Sequence, residues 1–297
     1  MKKVILIIWI ITIPVCSQQN TVKDSLKELL TAQRDTFRLR TLYNLFTSYV
    51  RNSPDSAKTY LNTLLHESKT SKHKEFLGLA FKAEGLYYYY KSNYRQAKTS
   101  YSKSIAIYDS LSLSIPLSRM FNNQGIVLKY LGELEESKRF HLKSLKIKEM
   151  LNLSPNDIAA SLVNIGVLEH ELGNNELSTE YYLKAEKICV DNNLINGLNL
   201  VRMNLAGNYK DVKDYTKSLI YYNQVYSYYL EKRDHRNIAR TTNSIGSLYL
   251  DQDSVLKAKE YYLKANQLNI KYGIEQMQGL TTRNLGKIAM KEKQYSE

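Results

Sequence analysis

Cysteine, proline, glycine and tryptophan are all scarce in this chain: two, four, twelve and one among 297 residues. Cys16 lies in an apolar N-terminal stretch, so Cys189 is the single cysteine of everything after it. A disulfide framework is thereby excluded, and Cys189 is expected to be a small buried apolar residue. With so little proline and glycine there is no room for a flexible linker or a low-complexity segment. Catalytic signatures are missing too: no G-x-S-x-G, no phosphate loop and no glycine-rich dinucleotide fingerprint occurs. The five histidines, His66, His73, His141, His170 and His235, share no metal-ligand spacing. His170-Glu171 lacks the second histidine of a zinc-protease motif. Carboxylate pairs such as Glu135-Glu136 fall on helix faces, where a solvated role is the default. Enzymatic activity, a cofactor and a metal site are therefore not expected.

Acid is under-represented as well. Lys and Arg number 42 against 29 Asp and Glu, a net charge of +13. Such a balance favours acidic partners in general. The lysines are spread over the whole chain rather than packed into a run with exposed aromatics, so a solvated basic exterior is expected and nucleic acid is not.

Long apolar runs are confined to the start. Residues 1–17, MKKVILIIWIITIPVCS, carry two lysines, an apolar run from Val4 to Ile13, then Pro14 and small residues. A membrane span needs about 20 apolar residues, so this pattern reads as a cleaved secretory signal peptide, with Gln18 first after processing. The alternative is lipid attachment at Cys16, although Ile13-Pro14-Val15 matches the lipoprotein motif poorly. Either way the chain is expected to be exported. Residues 18–36, with Leu26, Leu29 and Leu30 on a charged background, predict an amphipathic lead-in helix.

What the chain has in quantity is tyrosine, 25 of them, and periodicity. Residues 158–188 hold two apolar stripes at helical spacing, Leu162, Ile165 and Leu172, then Leu177, Tyr181, Ala185 and Ile188, separated by Gly173-Asn174. That is a helical hairpin. Gly166 sits inside its first helix, where glycine costs about 1 kcal/mol relative to alanine, so close approach of a partner is expected there. The same register recurs every 40 or 41 residues as Gly85, Gly125, Gly166, Ala206, Gly246 and Gly286, with Leu45 a degenerate first member. Each is followed by a second small residue, Ala57, Ala97, Ser137, Ser178, Ser218 or Ala258. Then comes Leu61, Tyr101, His141, Tyr182, Tyr222 or Tyr262, His141 standing in for tyrosine. Turns between helices fall at Ser92-Asn93, Gly132-Glu133, Gly173-Asn174, Lys213-Asp214 and Gln252-Asp253, and Ser53-Pro54 and Ser154-Pro155 predict serine caps ahead of proline.

This pattern resembles the tetratricopeptide repeat, from about Leu39 to Glu297, and departs from it in lacking the tryptophan and in its period of about 40 rather than 34. The resemblance implies an all-α, right-handed superhelical solenoid of antiparallel helix pairs over residues 37–297, about six and a half repeats. Gly286 and Tyr295 are in register, so the last repeat is expected to be truncated at Glu297, with an output part or membrane segment beyond. An exported array with a leucine-rich lead and a Ser-Pro-Asp-Ser-Ala second helix also resembles the extracytoplasmic sensor segment of bacterial membrane-bound signalling proteins, in which a histidine kinase or helix-turn-helix output follows. A periplasmic or lipid-anchored scaffold that assembles envelope proteins, and a binder of acidic polymer, are the alternatives.

In such arrays the first helix of each pair lines the concave, binding side. Two residues before each register position stand Asn123, Asn164, Asn204, Ser244 and Asn284. An amide both donates and accepts, so this row suits the main chain of an extended peptide; its alternative use is to satisfy groups inside the fold. One helical turn away are Arg119, Asn122, Lys129, Lys210, Arg240, Asn243, Arg283 and Lys287, which would make the groove cationic and its protein or peptide ligand acidic. The family's carboxylate clamp for chaperone tails is not reproduced.

Overall fold

The computed structural model describes residues 15–294; residues 1–14, which carry most of the expected signal peptide, and Tyr295 lie outside it, as does the side chain of Cys16. The described residues form fourteen helices and no strand. They are α1 (Val15–Ala32), α2 (Asp35–Tyr49), α3 (Pro54–Thr70), α4 (Lys74–Tyr90), α5 (Tyr94–Ser110), α6 (Ser114–Tyr130) and α7 (Leu134–Met150). There follow α8 (Pro155–Glu171), α9 (Asn175–Asp191), α10 (Ile195–Asp211), α11 (Tyr215–Glu231), α12 (His235–Asp251), α13 (Val255–Lys271) and α14 (Glu275–Gln294). From α3 to α13 every helix has 17 residues. No described helix is long and apolar enough to cross a membrane.

One turn geometry is repeated at every connection from α4 onward. The residues at 92, 112, 132, 152, 173, 193, 213, 233, 253 and 273 all have positive φ, between 47° and 83°. After each, the next amide reaches back to the carbonyl five residues earlier, as in Asn93 N–H to Tyr88 O at 2.9 Å and Asp234 N–H to Tyr229 O at 3.0 Å. This is the Schellman closure of a helix end. Gly132, Gly173 and Gly273 adopt the left-handed conformation freely, whereas Lys213 and Arg233 do so against a Cβ clash of about 1–2 kcal/mol. The single 41-residue step comes from a fourth residue in the loop 151–154, where Ser154 accepts from the Asp157 amide at 3.2 Å and Pro155 opens α8. Ser53, expected to act alike, precedes Pro54 at the start of α3 but makes no side-chain cap.

The chain divides into two compact units, residues up to Phe140 and from His141 on. In the first unit α2/α3 and α4/α5 are antiparallel pairs whose core includes Leu42, Phe46, Leu61, Leu64, Ala80 and Ala83. Antiparallel order is visible at α4/α5, where Gly78 faces the Tyr108 ring and Gly85 the Tyr101 ring. In the second unit the pairs α8/α9, α10/α11 and α12/α13 follow one another and α14 packs on α13, with α8, α10, α12 and α14 successive neighbours. Its core holds Leu162, Ile165, Tyr182, Ala185, Val201 and Leu205, together with Cys189, 1% exposed. Burial pushes the Cys189 thiol up, which keeps it protonated and inert.

The repeated glycine has its physical cause in this packing. A Cβ on Gly166 would stand 2.6 Å from the Tyr182 ring, and one on Gly246 2.9 Å from the Tyr262 ring. Each ring lies flat where an alanine would be, so the pair closes to backbone distance. The second small residue adds a bond the sequence did not announce. Ser137, Ser178 and Ser218 each donate Oγ to the carbonyl of the register residue twelve earlier, Gly125, Gly166 and Ala206, at 2.7, 2.8 and 2.7 Å. Gly286 occupies the same register in α14 with nothing within 4 Å of its Cβ position.

Candidate functional site

In the second unit the row on the first helices is half-buried at Asn164, Asn204 and Ser244. Ser244 spends its hydroxyl proton on the Arg240 carbonyl of its own helix, at 3.2 Å. Asn284 departs from the row. It is 6% exposed and donates to Asn243 Oδ1, itself 5% exposed, at 3.1 Å, tying α14 to α12. Those two amides serve the fold, because a buried amide must find its partner inside. Arg240, Arg283 and Lys287 are exposed and contribute the positive side of this face.

Lys210 is not free for a ligand. Its Nζ lies 3.0 Å from Asp211 and 3.0 Å from Asp251. Burial lowers its affinity for a proton, but the hydrogen bonds to Asp251 and Asp211 outweigh this and hold the ammonium above the ordinary lysine range. The same rung recurs one hairpin earlier as His170 to Asp211 at 2.7 Å. Residues 41 apart thus link α8 to α10 and α10 to α12, each rung ending on an aspartate, Asp211 or Asp251, while the donor changes from His170 to Lys210.

In the first unit Asn122 and Asn123 on α6 are half-buried, Arg119 is exposed, and the Lys129 ammonium lies 5.9 Å from the Tyr130 ring centroid. The neighbouring Gln124, not singled out from the sequence, is 2% exposed and donates to Ser102 Oγ at 3.2 Å. This unit also has a cavity of about 440 Å³ on the side of α2 and α4. Tyr43, which holds the row's register position in α2, forms part of its wall. Among the described residues no three His, Cys, Asp or Glu side chains come together to hold a metal.

The tetratricopeptide repeat family matches residues 159–189 and 239–269, which are hairpins α8/α9 and α12/α13. No curated protein matches the chain in sequence. Solved structures share the fold at low identity. The apo form of RapI aligns with a TM-score of 0.69 at 17% identity, over 86% of this chain and 72% of its own. A signal transduction ATPase with a tetratricopeptide repeat sensor, from Pyrococcus horikoshii, aligns at 0.64 and 16%, over 93% of this chain, which spans about half, 48%, of that protein. The Rap conjugation gene regulator of plasmid pLS20, in complex with the Phr* peptide, aligns at 0.58 and 13%, over 86% of this chain and 76% of its own. At such identities the likeness shows the fold. Residues 159–189 and 239–269 thus match the tetratricopeptide repeat, and the fold around them is that of a helical-repeat protein.

Proposed function

We propose that the chain is a non-catalytic module that binds an extended peptide or protein segment on its first helices, as the extracytoplasmic sensor part of an exported signalling protein. The observation that carries this reading is the repeated register of half-buried Asn164, Asn204 and Ser244 on the neighbouring helices α8, α10 and α12. Packed helices lie roughly 8–10 Å apart, about the span of three residues of extended chain at ~3.3 Å each. Amides at that spacing fit a main chain and leave its side chains unread. Exposed Arg240, Arg283 and Lys287 favour an acidic ligand. Support also comes from similar folds: one is a signal transduction ATPase that has a tetratricopeptide repeat sensor, another a regulator bound to a peptide. The signal-like residues 1–17 favour export.

Peptides selected from a display library on the immobilised chain test it. Two lost amide bonds at about 1 kcal/mol each weaken binding roughly 30-fold, so Asn164→Ala with Asn204→Ala is expected to do so. Selected peptides that ignore this pair and are lost instead with Lys187→Glu and Gln224→Ala, exposed on α9 and α11, would refute the reading.

A further inference from the structure

The cavity of about 440 Å³ in the first unit falls within the 300–1,000 Å³ of small-ligand sites. Its walls are Tyr43 from α2, Phe76 and Leu79 from α4, Tyr108 at the end of α5, and Leu113 and Pro116 at the start of α6. The wall formed by Tyr108 is fixed in advance. A Cβ on Gly78 would stand 2.8 Å from the Tyr108 ring, so only glycine lets that ring lie against α4, and Ser104 Oγ bonds the Gly78 carbonyl at 2.8 Å. Burial raises the Tyr108 phenol well above its ordinary value, leaving a neutral aromatic wall at physiological pH. An apolar hollow that is already formed exacts little reorganisation from its occupant.

The mouth has its own chemistry. Arg40 and Asn44 are exposed there. The Arg40 guanidinium lies 5.8 Å from the Phe76 ring centroid, and the Lys82 ammonium 5.1 Å from that of Tyr43. Both cations rest on aromatic faces, and neither pairs with a carboxylate among the described residues. The one carboxylate at the mouth, Glu75, is beside His73 at 3.5 Å. Arg40 in the lining, and Lys82 beside it on the Tyr43 ring, are complementary to an occupant that is apolar at its tip and anionic beside it.

We propose that this cavity is an anchor pocket for a bulky apolar side chain of a peptide ligand, with a carboxylate next to it in the peptide held by Arg40 and Lys82. The inference rests on the first helices being the binding side, since Tyr43 holds in α2 the register of the amide row.

The test uses the full chain and small probes followed by ligand-observed NMR: N-acetyl-Phe-Asp-amide, N-acetyl-Phe-Asn-amide, N-acetyl-Ser-Asp-amide and N-acetylphenylalanine. Saturable binding of a probe that has both the ring and a carboxylate is expected near 1 mM, the scale of a single anchor. Removal of the carboxylate is expected to weaken it about 10-fold, and removal of the ring to abolish it. Preference for Phe-Asp-amide assigns the carboxylate to an acidic side chain, and preference for N-acetylphenylalanine to a peptide C terminus. Arg40→Glu is expected to bring the better probe down to the level of Phe-Asn-amide, and Asn44→Trp to fill the mouth and abolish binding. Both positions are exposed, and an unchanged helical circular-dichroism spectrum checks that the variants fold. No saturable binding, equal binding of Phe-Asn-amide, or indifference to Asn44→Trp overturns the proposal. Library-selected peptides that need Asn164 and Asn204 but ignore Asn44→Trp would remove the pocket and leave the groove reading intact. Selected peptides indifferent to all three would remove that reading, while the probes still decide the pocket.

Discussion

Replacing Gly166 by alanine sets two effects of known sign against each other. Alanine is worth about 1 kcal/mol over glycine inside a helix. Against that, the new Cβ would meet Tyr182 Cε1 at 2.6 Å and Cδ1 at 2.8 Å. That ring is 3% exposed and packed among Leu162, Ile165 and Ala185, so it cannot swing away. Overpacking of this kind costs roughly 1–3 kcal/mol, and with three ring carbons inside contact distance the upper half of that range applies. The net expectation is a loss of about 1–2 kcal/mol. The matched control is Gly286→Ala, the same register in α14, where nothing lies within 4 Å and a gain of up to about 1 kcal/mol is expected. Urea unfolding followed by circular dichroism, with hydrogen exchange resolved over α8, α9 and α14, measures both, since repeat arrays need not unfold as one unit. A Tyr182→Leu background removes the ring, and there Gly166→Ala is expected to become neutral or stabilising. A Gly166→Ala protein as stable as the parent, or a penalty that persists without the ring, would refute the argument.

Two further expectations follow from the structure and one from the sequence. Arg233 holds φ 53° at a helix end, so Arg233→Gly should raise stability by about 1 kcal/mol in urea melts, and a loss would mean that its side chain does something unseen here. Burial pushes the Tyr222 phenol up to about 12, opposed by Lys210, and burial likewise carries Tyr182 to about 12. A phenol raised above its unfolded value of about 10 keeps its proton in the folded state while the unfolded chain loses it. Its contribution is complete below pH ~10 and disappears as pH rises to ~12, about 2–3 kcal/mol per phenol. Tyr222→Phe should therefore flatten the alkaline fall in stability; an unaltered fall in the variant would contradict this. Finally, N-terminal sequencing of the exported chain should begin at Gln18; an intact Met1 would remove the export proposal.

The hairpins were legible because the sequence breaks a rule to build them. Glycine at 85, 166 and 246 is costly in mid-helix, and a tyrosine sixteen residues later repeats with it, so the pair betrays a contact without coordinates. The turns at Ser92 and Lys213 were legible as breaks, but not as left-handed positions, because those residue types seldom adopt positive φ and only the backbone shows that they do. The amide row was half legible. Periodicity placed Asn164, Asn204 and Asn284 in one register, yet it does not show which of them is buried, and α14 draws Asn284 inward onto Asn243. The rungs leave half a trace, since the acceptors Asp211 and Asp251 repeat while the donors His170 and Lys210 differ, and the cavity beside Tyr43 depends on how Gly78 seats Tyr108, which has no periodic signature.

The central claim is that the ligand lies along the first helices and not the second. Benzoylphenylalanine incorporated at position 204 on α10, or at position 224 on α11, and irradiated with a selected peptide decides this most directly. Crosslinks from 204 and none from 224 are predicted, and crosslinks from 224 alone would contradict the account.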